Sequence, residues 1–218
     1  MINAVIVDFD DTLCLTEEAT FKLENEILRQ MGRPPQSRQI HKATWGQPLF
    51  EAITLRSPGV DVKQFETLST KILAKWVEDG HIDIIAQANL RALDKLLGMD
   101  KDLYVLTSRT HIELAHILEP DHELAKRVKA FYYRDIMTHH KPDPRAFTIL
   151  LQEHDLTPER CVYVGDSPSD AAAANGAQIR FIASLESGIR TKADFSDYTV
   201  DAFIEHFSDL PATVSLLP

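Results

Sequence analysis

Apolar residues follow two rhythms along this chain, and the change between them divides it. Ala4-Val5-Ile6-Val7 is a short unbroken apolar run, the pattern of a strand buried on both faces. Residues 15–80 then follow a helical period. Ala19, Leu23, Ile27 and Met31 recur every four positions, and Phe21 and Leu28 widen the stripe. Thr16 is placed to cap that helix, Glu17 and Glu18 fall in the first turn where the dipole favours anions, and Gly32 with Pro34-Pro35 ends it. Further helices are expected over about 36–44, 48–56 and 61–78, broken by Gly46-Gln47-Pro48 and Ser57-Pro58-Gly59.

From about residue 86 helix and strand alternate. Leu90 to Leu97 reads as a helix, Leu103 to Leu106 as a buried strand, and Ile112 to Leu118 as a helix. Asp143-Pro144 opens another helix, with an aspartate cap, proline in the first turn, and Phe147, Leu150 and Leu151 facing inward. Cys161 to Val164 and Ile179 to Ile182 are strands, and the alanine-rich helix between them ends at Asn175-Gly176. Tyr198-Thr199-Val200 is expected as a last short strand, and the tail from Ala202 carries no functional signal. The pattern predicts an α/β fold with a Rossmann-like parallel sheet core and helices on both faces. The core takes residues 1–14 and 81–218, and residues 15–80 form a helical cap inserted after the first strand.

Composition narrows the function classes. The 218 residues are 44% hydrophobic and 26% charged, ordinary for a soluble globular protein. The net charge of −10 makes nucleic acid and anionic membrane poor partners. No apolar stretch approaches the roughly 20 residues that span a bilayer, and Asp8 interrupts the first run too early for a signal peptide. Cys14 and Cys161 have no metal-binding spacing and read as small hydrophobes in a reducing compartment. The expectation is a cytoplasmic protein acting on a small molecule.

Ligands of parallel sheets bind outside the carboxyl ends of the strands, so polar residues at those ends carry the chemistry. The first strand delivers Asp8 and Asp10 into one small volume, where uncompensated carboxylates repel and one is pushed toward its protonated form. A cation or acid–base chemistry relieves that cost. Thr107 and Ser108, then Arg109, follow the second strand; Lys141 lies in His139-His140-Lys141-Pro142-Asp143-Pro144; and Gly165-Asp166-Ser167-Pro168-Ser169-Asp170 follows Val164. Carboxylates suit a hard cation such as Mg2+ together with a substrate phosphate. Hydroxyls, amides and a lysine would hold the remaining phosphate oxygens. The set points to phosphoryl transfer, with a carboxylate nucleophile and a second carboxylate as proton donor and acceptor.

These motifs resemble, in order and approximate spacing, those of the haloacid-dehalogenase-like superfamily, and the helical insertion is similar to the cap of its phosphatase branch. The resemblance implies a Mg2+-dependent phosphatase that hydrolyses a small organic phosphate monoester through an aspartyl-phosphate. By it, Asp8 is the nucleophile and a metal ligand, and Asp10 is the general acid/base and a metal ligand through its carbonyl oxygen. Thr107, the Ser108 amide and Lys141 bind phosphate, Asp166 is the third metal ligand, and Asp170 is a supporting carboxylate. Trp45-Gly46-Gln47 resembles the glycine-containing loop with which family caps touch substrate, and Lys42 and Arg109 are candidates for the non-phosphate part of the ligand.

Two positions depart from the family pattern. Asp11 stands where glycine is common, although aspartate tolerates left-handed backbone better than most residues. Leu15 stands where relatives often carry an acid. His139 and His140 read as loop residues, and His111 and His116, five apart, do not share a helix face. Phosphoglycolate-like acids, sugar phosphates and nucleoside monophosphates are the leading substrates. The rivals are a sugar-phosphate mutase, a phosphate-binding module without turnover and a phospho-accepting receiver domain. Intact Asp8 and Asp10 weigh against the second and the inserted helices against the third. Dehalogenase and phosphonatase relatives lack the acid present here as Asp10.

Overall fold

The structure, a computed structural model, describes residues 2–218. It divides into two compact units, Met1–Cys14 with Ile85–Pro218, and Leu15–Ile84.

The first unit is built on six strands, all parallel. They are β1 (Ala4–Val7), β2 (Asp102–Leu106), β3 (Ala130–Tyr132), β4 (Cys161–Gly165), β5 (Arg180–Ser184) and β6 (Ala202–Ile204). Their order, β3-β2-β1-β4-β5-β6, is Rossmann-like. Chain order reverses between β1 and β4, which opens a crevice at their carboxyl ends. Register makes the consequence concrete: Val7 pairs with Val164, so the residues that follow, Asp8 and Gly165-Asp166, emerge side by side.

Strand alternation sends apolar side chains to both faces. One face carries Val5, Val7, Val105, Val162 and Val164. They pack on Leu90, Leu93 and Leu96 of α5 (Gln87–Leu97) and on Leu210 and Val214 of α9 (Leu210–Leu216). The other carries Ile6, Tyr104, Leu106, Tyr163 and Phe181. These pack on Phe147, in a 3-10 turn over Pro144–Phe147, on Leu150 of α7 (Thr148–Glu153), and on Ala171 and Ala174 of α8 (Pro168–Gly176).

The second unit has four helices, α1 (Glu17–Gln30), α2 (Arg38–Ala43), α3 (Leu49–Arg56) and α4 (Val62–Glu78). Leu23, Ile27, Leu28, Ile53, Phe65 and Ile72 form its core, which is the four-residue stripe of the sequence closed against α4. Thr16 precedes α1, but its side chain makes no capping hydrogen bond. No helix among the described residues is long and apolar enough to cross a membrane.

Three expectations are corrected and one strand is added. The last strand is Ala202–Ile204 rather than 198–200, because Asp201 locks onto β5: its amide donates to the Phe181 carbonyl and its carboxylate accepts from the Phe181 amide. A three-residue strand, Ala130–Tyr132, went unread. The helix expected to reach Leu118 is only α6 (His111–Leu114), since Ile117 already bonds back three residues to Leu114. The helix opened by Asp143 begins as the 3-10 turn, with Asp143 accepting from the Arg145 amide.

Candidate active site

Asp8 prolongs β1 by one residue. Its amide donates to the Val164 carbonyl at 2.9 Å, and alternation sends its carboxyl to the face that Ile6 occupies. Oδ1 accepts from the Phe9 amide at 2.8 Å and lies 3.0 Å from Lys141 Nζ. Burial pushes Asp8 up to about 7 against the pull of Lys141, and the Asp170 and Asp10 charges add to the rise.

Asp166 emerges beside it from β4 and is buried. Among the described residues nothing donates a hydrogen bond to its carboxylate. Burial first, and then the charges of Asp170, Asp8 and Asp11, hold it well above the usual carboxylate range. Asp170 sits three residues into the turn that starts α8, where Ser167 caps the helix. Its Oδ2 accepts from the Ser167 amide at 3.0 Å and hydroxyl at 2.6 Å, completing a reciprocal capping box. Its Oδ1 accepts from Lys141 Nζ at 2.6 Å and the Tyr163 hydroxyl at 2.9 Å.

Lys141 is therefore shared among three groups: Asp8, Asp170 and, at 2.9 Å, the Tyr163 hydroxyl. Burial opposes its charge, but the two carboxylates outweigh it, and the ammonium persists far above neutrality. Tyr163 was missed in the sequence. An aromatic in a buried strand reads as core, and Tyr163 does pack edge-on to Phe147, with ring centroids 5.0 Å apart. Its one visible signal was a hydroxyl three residues ahead of Asp166 on the same strand.

Thr107 leaves β2 fully buried, and its Oγ1 accepts from the Arg109 amide at 3.2 Å; Ser108 beside it is exposed. Asp10 lies in the loop after β1, bridged to Cys14, and Asp11 has φ +51°. The residue in the usual glycine position thus adopts the left-handed backbone that glycine favours. Arg109, a candidate for the non-phosphate part of the ligand, forks onto Asp10: Nη2 donates to Oδ1 at 2.7 Å and Nε to Oδ2 at 3.0 Å.

The remaining candidates belong to the helical unit. Lys42, Gly46 and Gln47 are exposed, Gly46 has φ +87°, and the half-buried Trp45 lies 5.2 Å from the His41 ring. Beneath them is a buried polar network. Glu24 accepts from Arg56 Nη1 at 2.5 Å and Gln36 at 2.7 Å, Glu17 contacts His41 Nδ1 at 2.8 Å, and Arg56 Nε donates to Thr44 Oγ1 at 2.8 Å.

One oxygen each from Asp8, Asp166 and Asp170 lies within 4.8 Å of the others, all three buried. Three carboxylates face one ammonium, and one of the three, Asp166, has no donor among the described residues. That surplus of buried anionic oxygen fits a hard divalent cation.

The model of the family described as haloacid dehalogenase-like hydrolase matches residues 5–184. The chain is 26% identical over 227 residues to protein CbbY of Cereibacter sphaeroides, covering 94% of each. It is 25% identical over 226 residues to the phosphoglycolate phosphatase of Rhodobacter capsulatus, covering 98% of this chain and 97% of that one. Among solved structures, CbbY from Rhodobacter sphaeroides in complex with phosphate superposes with TM-score 0.81 at 23% identity, over 99% of this chain and 100% of that one. With the matched segment running from β1 through β5, the chain belongs to the haloacid dehalogenase-like hydrolases.

Proposed function

We propose that this hydrolase is a Mg2+-dependent phosphatase of small organic phosphate monoesters, working through a phosphoryl group carried transiently on Asp8. The observation that carries the reading is the position of the Lys141 ammonium, 3.0 Å from Asp8 and 2.6 Å from Asp170, beside the buried Asp166. A dianionic phosphoryl group repels a bare carboxylate nucleophile, so the nucleophile must stand among cations.

Asp8 attacks phosphorus with one carboxylate oxygen, and the ester oxygen leaves with its bonding pair. Asp10 gives that oxygen a proton, then takes one from the water that attacks the phosphoryl-aspartate. Thr107, the Ser108 amide and Lys141 hold the phosphoryl oxygens. Asp8, Asp166 and the Asp10 carbonyl would hold Mg2+, which when bound neutralises phosphate charge; Asp170 orients Lys141. The helical unit is assigned the role of a cap, with Lys42, Trp45, Gly46 and Gln47 meeting the part of the substrate beyond the phosphate.

Relatives over nearly the whole chain support the substrate class. One is the phosphoglycolate phosphatase already described. Another is a phosphorylated carbohydrates phosphatase of Thermotoga maritima, 25% identical over 191 residues and covering 83% of this chain and 84% of that one. Phosphorylated hydroxy acids and sugar phosphates are therefore placed ahead of nucleotides. The deciding experiment is phosphate release across a panel of these esters with Mg2+ and with EDTA. Mg2+-dependent turnover of at least one is expected, and no release from any, or equal release in EDTA, refutes the reading.

A further inference from the structure

Asp10 and Arg109 stand 99 residues apart in sequence and meet where two neighbouring strands end. Both Asp10 oxygens accept from the guanidinium: Oδ1 from Nη2 at 2.7 Å and from Nε at 3.2 Å, and Oδ2 from Nε at 3.0 Å. Arg109 is itself held. Its guanidinium carbon lies 4.6 Å above the centroid of the buried Phe9 ring, and Nη1 reaches the Glu113 carbonyl at 3.4 Å. Its amide donates to Thr107 Oγ1 at 3.2 Å, and its carbonyl accepts from the Arg134 amide at 2.8 Å. An exposed ion pair contributes little to stability. This arginine side chain is only 10% exposed and fixed from several sides, so the pair sets the plane of the Asp10 carboxylate.

We propose that Arg109 is a positioning residue for the hydrolytic half of the reaction, holding the Asp10 carboxylate where it takes a proton from the attacking water. The proposal rests on the phosphatase reading. In the first half, phosphorus bonds to an Asp8 oxygen, the ester oxygen leaves with the bonding pair, and an alkyl leaving group takes a proton from the Asp10 carboxyl. In the second half, a water oxygen bonds to phosphorus, its proton passes to the Asp10 carboxylate, and the phosphorus–Asp8 bonding pair returns to Asp8. The fork takes up both Asp10 oxygens and so fixes the plane of the carboxylate. That fixed plane serves the second half, where the carboxylate itself must meet the attacking water. An aryl ester such as p-nitrophenyl phosphate isolates it, because its phenolate leaves without a proton.

The test compares wild type, Arg109→Ala and Arg109→Lys with Mg2+ and p-nitrophenyl phosphate. Arg109→Ala is expected to lower kcat by about 10- to 100-fold while kcat/KM, which stops at phosphoryl transfer to Asp8, falls by less than about threefold. A burst of about one nitrophenol per chain should appear, with phosphoryl label on the quenched protein. Arg109→Lys should recover part of kcat. Asp10→Asn should give the same burst, and adding Arg109→Ala to it should cost nothing further. Three outcomes overturn the proposal: kcat and kcat/KM falling together without a burst, an unchanged kcat, or a KM rise confined to substrates with a second anionic group. Should Arg109→Ala fail to fold, Arg109→Lys decides by the same split. Absence of turnover by the wild type on every ester is a different failure, since it removes the phosphatase reading itself.

Discussion

Gly165 and Asp170 stand so close that a Cβ on Gly165 would lie 2.5 Å from the Asp170 carboxyl carbon and 2.6 Å from its Cβ. The glycine is there to make room for a side chain, since its φ is not left-handed. That side chain cannot yield cheaply. Asp170 is fully buried, bound to Lys141 and Tyr163 through one oxygen and to Ser167 through the other. Gly165→Ala is therefore expected to destabilise the protein by about 1–3 kcal/mol and to reduce turnover more than that loss explains, because Lys141 moves with Asp170. Urea unfolding beside phosphate-release assays checks this, and full activity in the folded variant would show that Lys141 needs no anchor.

On the proposed mechanism Asp8→Asn removes the attacking oxygen, and it leaves Lys141 without one of its two carboxylates. Turnover should vanish, with phosphate release at the uncatalysed background. The variant should remain folded, because the amide fills the same space and the Lys141–Asp170 pair survives. Circular dichroism together with the release assay is sufficient, and residual turnover above about one part in a thousand would place the nucleophile elsewhere.

For the Mg2+ site proposed above, the acid cluster gives metal affinity a pH dependence of definite sign. Asp8 stands at about 7 against an ordinary 3.8, raised first by burial, and Asp166 is raised in the same direction. A raised carboxylate favours the folded state at low pH. That contribution is complete below about pH 4 and is lost as pH climbs through 7. A divalent cation needs the anions, so it displaces their protons. Magnesium should bind about tenfold more weakly for each pH unit below 7 per proton released, and its stabilising effect should be larger at pH 8 than at pH 5.5. Thermal unfolding with and without Mg2+ at both pH values reads the sign directly; a larger shift at the acidic pH contradicts it.

Much of this site could be read from residues alone because each strand announces its own end. The apolar run Ala4–Val7 stops at a carboxylate, and the run from Cys161 to Val164 stops at Gly165-Asp166. What connects one strand end to another could not be read. Arg109 and Asp10 are nearly one hundred positions apart, and a basic side chain after Thr107-Ser108 looks the same whether it meets a ligand or a neighbouring loop. Tyr163 hid because its ring satisfies the core while its hydroxyl serves Lys141. The misplaced sixth strand has a similar cause. By residue type Tyr198-Thr199-Val200 is the stronger strand former of the two triplets, and the tertiary bonds of Asp201 to Phe181 nonetheless put Ala202-Phe203-Ile204 beside β5.

The helical unit offers a test independent of catalysis. Arg56 and Glu24 side chains are each 2% exposed and meet at 2.5 Å, and Arg56 also donates to the Thr44 hydroxyl and carbonyl. Arg56→Met keeps approximately the volume and strips Glu24 of its cation, leaving a buried carboxylate with Gln36 and, at 3.7 Å, His41 Nε2. Breaking one side of such a pair costs about 3–5 kcal/mol, whereas replacing both partners with apolar residues is close to neutral. Arg56→Met alone should therefore unfold far more readily than Arg56→Met with Glu24→Leu. Both tryptophans, Trp45 and Trp76, lie in this unit, so their fluorescence follows its unfolding while the parallel-sheet unit stays silent. If the single variant is as stable as wild type, the buried pair carries no net charge debt. If the double variant is the less stable of the two, the network is holding the helices together by more than the neutralisation of Glu24.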